Sequence, residues 1–219
     1  QGLSLGERSY QNAVEYARDR IQSRAPTGPQ AKDKAADPII VHPDVRRMLM
    51  SMRAQTEAAR ALSYVTAAAF DAGHHHADEA TRKANAAFYD FMVPIVKGWS
   101  TELSIDVAST GVQVHGGMGF IEETGAAQHF RDARITSIYE GTTAIQANDL
   151  VGRKTARDGG QTAKAIAMQI EHTEAALQRS ATPHALAVAK RLSAARLAFC
   201  DVVDFIVSQS KAGPNAVYA

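Results

Sequence analysis

The stretch Gly111–Arg153, GVQVHGGMGFIEETGAAQHFRDARITSIYEGTTAIQANDLVGR, governs how the rest of the chain reads. A helical run enters a turn carrying Gly116, Gly117 and Gly119, a charged link follows, and a lone acidic residue, Glu140, stands between Tyr139 and Gly141. Glycines reach backbone torsions closed to other residues and leave the main chain bare, so a ligand can approach closely. The pattern predicts a binding surface without naming what binds.

Upstream, apolar residues at Leu3, Tyr10, Ala13, Val14, Ala17 and Ile21 recur at helical spacing, predicting a helix from Leu3 to about Arg24. Pro26, Gly28 and Pro29 stop it. Thr27 to His42 reads as a loop with a short apolar exit at Ile39 to Val41, and Pro43 can open the next helix, where a backbone donor is not needed. That helix runs to about Ala72, with Gly73 as its stop. After the polar link His74–Asp78, another long helix extends to about Thr110, and Pro94 predicts a kink or short break within it.

Downstream, the pattern predicts a short helix around Gly125–Phe130 and a helix from about Thr142 to Arg153. Asp158-Gly159-Gly160 is the best linker candidate. Ala163–Arg179 and Pro183–Lys211 read as an antiparallel helix pair. Two-residue alternation is not sustained anywhere, so the expected fold class is all-α, a bundle of long antiparallel helices with a helical C-terminal extension. The expected division is residues 1–157 for the bundle and 158–219 for the start of the extension.

The 219 residues are 45% hydrophobic but only 6% aromatic, which favours close-packed helices over a β-sandwich. Lys and Arg (24) balance Asp and Glu (23), which argues against a nucleic-acid partner. Cys200 is alone, so an intrachain disulfide is excluded, and a reducing, cytoplasmic setting is expected. No apolar run approaches the roughly 18 to 20 residues of a membrane span. The opening residues lack the pattern of a secretory signal.

Three segments together resemble the C-terminal helical domain of the acyl-CoA dehydrogenase family: Gln113–Phe120 (QVHGGMGF), Arg131–Arg134 (RDAR) and Ile138–Gln146 (IYEGTTAIQ), in the family's order and spacing. Ala147–Arg153 followed by Asp158-Gly159-Gly160 resembles the long bacterial branch with an extra C-terminal segment. In the family this bundle follows a helical domain and a β-barrel, so the chain reads as a piece of a longer protein.

The resemblance implies an FAD-dependent enzyme of fatty acid metabolism that oxidises an acyl-CoA thioester to the trans-2-enoyl-CoA. Glu140 would take the α-proton, with Tyr139 and Gly141 beside the substrate. It places Arg20, Gln22, Gln113, Gly116, Gly117 and Thr142 at FAD, held across a subunit interface of a homodimer or homotetramer. It makes an electron-transferring flavoprotein the expected acceptor. The simpler reading of Glu140 is a charge in the first turn of a helix, favoured by the macrodipole. An inactive oligomerisation module of the same fold is the alternative.

His115 is a candidate beside the simpler reading, since a lone histidine before glycines is more often a loop residue than a ligand. His74-His75-His76 reads as a solvated link, and no metal site is expected. The chain departs from the family at Ser23-Arg24, where many members carry Phe-Gly, and at Pro43, where many carry Gln. Cofactor contacts near Arg20 are thereby expected to be remodelled. A di-iron bundle would want two Glu-x-x-His pairs, of which the chain has none. Phosphate-loop and Rossmann signatures are missing too.

Overall fold

A computed structural model describes residues 1–180, 182–213 and 215–218. The elements are α1 (Gly2–Asp19), a 3₁₀ turn (Ile39–Val41), α2 (Pro43–His75), α3 (Glu79–His115), α4 (Gly117–Phe120), a second 3₁₀ turn (Glu122–Thr124), α5 (Ala126–Thr136), α6 (Thr143–Asn148), a π-helix (Asp149–Ala156), α7 (Gln161–Ser180), α8 (Pro183–Gln209) and α9 (Asn215–Tyr218). Among the described residues the only extended pairing is an isolated bridge between Ile21 and Pro38. The fold class is the all-α one expected.

The chain forms two compact units, one of residues 1–65 and 96–143, the other of 66–95 and 144–219. In the first, Ala13 and Ala17 of α1, Met48, Leu49, Met52 and Ala59 of α2, and Leu103, Val107 and Val114 of α3 make the buried core. Small residues let these helices lie close. A Cβ on Gly6 would touch the Thr56 methyl at 3.4 Å, and one on Gly111 would overlap Ser9. Close approach of backbones through small side chains explains how a chain with few aromatic residues builds a dense core.

In the second unit α7 and α8 pair. Thr182 caps α8 by accepting from the Ala185 N–H at 3.2 Å, with Pro183 in the first turn. Glu174, 5% exposed, receives a two-pronged bond from Arg196 at 2.6 and 3.2 Å, which lowers its carboxyl pKa. Lys154 of the π-helix reaches Asp90 of α3, and the rings of Phe91 and Phe199 meet edge to face.

Several predicted boundaries move. α1 ends at Asp19, because Arg20 is extended and the backbone of 20–23 pairs with 37–39 instead of continuing the helix. Gly73 does not stop α2, which continues to His75; a Cβ there would come within 3.2 Å of the Ala86 nitrogen, so the glycine serves the packing of α2 on α3. For the same reason α3 passes through Gly111 to His115, and it runs through Pro94 without a break. The helix predicted to reach Arg153 is α6 followed by the π-helix, in which the Arg157 N–H bonds the Gly152 carbonyl five residues back.

Candidate functional site

Two places in the first unit gather the predicted site residues. The first is an open groove of ≈ 280 Å³ lined by Tyr16, Arg20, Gln22, Ile39 and residues 114–118. It brings together Arg20, Gln22, Gly116 and Gly117, which are nearly a hundred positions apart in sequence. Gly116 takes φ +60, and a Cβ on Gly116 or Gly117 would meet nothing within 4 Å. Both therefore present bare main chain to open space. Gly119 differs: a Cβ there would strike the Val112 carbonyl, so it is a packing glycine.

Arg20 and Gln22 reach the groove because α1 ends early. Their backbone is fixed by the Ile39 N–H donating to the Arg20 carbonyl at 2.8 Å and the Gln22 N–H donating to the Asp37 carbonyl at 2.9 Å. Asp37 organises the whole segment. Its carboxylate, 0% exposed, accepts from the N–H groups of Ala25 (2.9 Å), Gln30 (2.8 Å) and Ala31 (2.7 Å) and from Arg24 (3.3 Å). The main-chain donors, foremost Ala31, and the guanidinium hold its pKa at about 2 against a desolvation that pushes upward.

Arg24 also donates to the carbonyls of Ala31 and Lys34. It is thus spent inside the loop, and Ser23 beside it takes φ 58. At the position where the chain departs from the family's pattern, Arg24 clamps the loop from within. Pro43 opens α2 as read.

His115 ends α3, 4% exposed, with Nδ1 on the Gly111 carbonyl at 2.7 Å and its ring stacked on Tyr16 at 4.3 Å. Burial lowers its pKa, so the groove wall it forms is neutral near pH 7. It is a buried wall of the groove, where the sequence reading took it for a loop residue. Gln113 does not line this groove; it borders a separate one with Arg47, Met48, Ser51, Ser109 and Thr110.

The donor set suits a phosphate-bearing cofactor. An exposed guanidinium that no described side chain pairs, an amide and two uncovered glycines surround the groove. FAD is such a group.

The second place is the turn between α5 and α6, which carries Tyr139, Glu140, Gly141 and Thr142. Glu140 precedes the helix by three residues, so it is a turn residue and not a member of the first helical turn. It adopts φ 53, the left-handed region, and Gly141 follows at φ 90. A non-glycine residue there carries roughly 1–2 kcal/mol of strain. The Glu140 side chain is exposed in these 219 residues, so any desolvation of it must come from what closes over the turn.

What holds the turn is a residue the sequence reading missed. Lys97 of α3 donates to the carbonyls of Thr136 and Tyr139, each at 3.0 Å, and of Gly141 at 2.5 Å. The Thr143 N–H closes the turn onto the Ser137 carbonyl at 3.2 Å, Arg134 donates to the Ser137 hydroxyl at 3.0 Å, and Thr143 donates to Glu102. The available signal for Lys97 was a single cation inside the apolar run Phe91–Trp99.

The helical bundle that carries this groove and this turn has relatives among known proteins. Residues 1–154 match the family described as acyl-CoA dehydrogenase, C-terminal domain. The chain is 53% identical over all 219 residues to 3-methylmercaptopropionyl-CoA dehydrogenase from Ruegeria pomeroyi, covering 36% of that protein. It resembles the structure of butyryl-CoA dehydrogenase from Megasphaera elsdenii at 31% identity and TM-score 0.52, over 69% of this chain and 33% of that one. An acyl-CoA dehydrogenase complexed with FAD from Bacillus anthracis matches at 25% identity and TM-score 0.59, over 79% of this chain and 29% of that one.

The chain belongs to the acyl-CoA dehydrogenase family, as its C-terminal helical domain. It spans about a third of the length of the curated relative it matches throughout.

Proposed function

We propose that the full-length protein is an FAD-dependent acyl-CoA dehydrogenase in which Glu140 removes the α-proton of a bound acyl-CoA. FAD, when bound, supplies the acceptor for the β-hydride. Arg20 would pair with its phosphates, Gly116 and Gly117 would let it approach the main chain, and Gln22 and, from the neighbouring groove, Gln113 are further contacts to its pyrophosphate and adenosine by the family resemblance. Thr142 would bond the flavin near the base. Tyr139 and Gly141 border the thioester, the glycine leaving room for it.

The observation that carries the reading is the left-handed Glu140 followed by Gly141 in a turn tied at three carbonyls. Backbone strain kept at one carboxylate is the kind of outlier that clusters at functional sites, and it supports a positioned base there. A carboxylate that water leaves as substrate binds rises in pKa toward the range where it takes a proton well. The gathering of Arg20 and Gln22 with the paired glycines supports the cofactor side.

The wider assignment follows the family. Residues 1–157 form its bundle domain and 158–219 begin an extension. The protein works as a homodimer or homotetramer in the cytoplasm and passes electrons to an electron-transferring flavoprotein. No described helix is long and apolar enough to cross a membrane. The relative at 53% identity makes a short thioether-bearing acyl-CoA the first substrate to try.

Glu140→Gln in the full-length protein tests the assignment. Turnover should fall by about 10³-fold or more while the flavin stays bound. Turnover within tenfold of the parent would remove Glu140 from the reaction.

A further inference from the structure

Lys97 donates three hydrogen bonds, all to main-chain carbonyls. An ammonium has three donors, so its hydrogen-bonding capacity is spent on one short segment of backbone. Thr136 is the last residue of α5, where unsatisfied carbonyls and the negative end of the helix dipole collect. Tyr139 and Gly141 are the residues immediately before and after Glu140. The Tyr139 carbonyl belongs to the peptide unit entering Glu140 and the Gly141 carbonyl to the unit one beyond the one leaving it; both bond one nitrogen, so the chain is pinned on either side of Glu140.

We propose that Lys97 is a positioning residue for Glu140. From the long helix α3, it holds residue 140 in the left-handed conformation and sets where the carboxylate lies. This rests on the reading of Glu140 as the base.

The arrangement explains two features that are otherwise unrelated. A half-buried lysine is accommodated in α3 because three converging carbonyl dipoles satisfy its ammonium. A non-glycine residue persists at φ 53, because the turn is tied from both sides and cannot relax to a relaxed conformation without breaking a charge-assisted bond. Arginine would not substitute: its planar fork spreads donors that here converge on a point.

The test is Lys97→Met in the full-length flavoprotein, read per bound flavin. Turnover should fall about 100-fold, the scale of a misplaced catalytic group. KM should stay within about threefold, and the isotope effect with α-deuterated substrate should rise toward its full value. Independently of activity, amide hydrogen exchange should quicken in 136–143 and stay unchanged in the segment 20–39. A merely structural role would lower flavin content and yield but leave turnover per flavin and the isotope effect alone.

If Lys97→Met does not accumulate as flavin-loaded protein, Lys97→Gln is read the same way, with the same outcomes. Parent-like turnover or unchanged exchange in 136–143 overturns the proposal. A parent-like Glu140→Gln would instead show that the base reading itself had failed.

Discussion

The groove and the acidic turn are built by opposite means. At the groove an anion, Asp37, gathers main-chain N–H groups and so presents Arg20 and Gln22. At the turn a cation, Lys97, gathers main-chain carbonyls and so presents Glu140. In each case a charge placed by the fold shapes a loop that regular helix bonding leaves loose. The difference teaches that the two halves of the site can be disturbed separately.

That separability is the first thing to try to break. Asp37→Asn keeps the shape of the side chain but puts an NH₂ against N–H donors. It should weaken FAD binding by about tenfold or more, while turnover per bound flavin stays near that of the parent. Lys97→Met should do the reverse. Flavin titration beside flavin-normalised turnover reads both, and a joint loss of binding and turnover in both variants would mean the two loops act as one.

Acid offers a second handle on the same contrast. The folded pKa of Asp37 is about 2 against an ordinary 3.8, so its stabilisation is fully present above about pH 4 and is lost as pH falls through 2. Pepsin should therefore spare residues 20–39 at pH 4 and cut them near pH 2.

A smaller effect is expected at Gly141. Alanine at φ 90 adds roughly 1–2 kcal/mol of strain beside Glu140, and turnover should drop about tenfold with flavin affinity unchanged. Equal turnover would show that the turn relaxes without harm.

The helices were legible because apolar spacing is written in side chains. Their ends were less so: Gly73 and Gly111 look like stops in a sequence but serve close packing between helices, a distinction only the neighbouring helix makes. The groove residues Arg20, Gln22, Gly116 and Gly117 were named from family motifs, and the fold brings them together. Gln113 was named with them yet borders a different groove.

Asp37 and Lys97 escaped notice for a common physical reason. Their partners are backbone atoms, which every residue carries, so no letter of the sequence records the pairing. The turn's left-handed backbone was half visible: Gly141 signals it, whereas Glu140 at φ 53 does not.

The most direct test is a structure of the full-length flavoprotein with a bound acyl-CoA analogue. A carboxylate oxygen of Glu140 should stand about 3–3.5 Å from the α-carbon, with Lys97 still on the carbonyls of Tyr139 and Gly141. A different side chain at that distance, with Glu140 turned away from the thioester, would contradict the account.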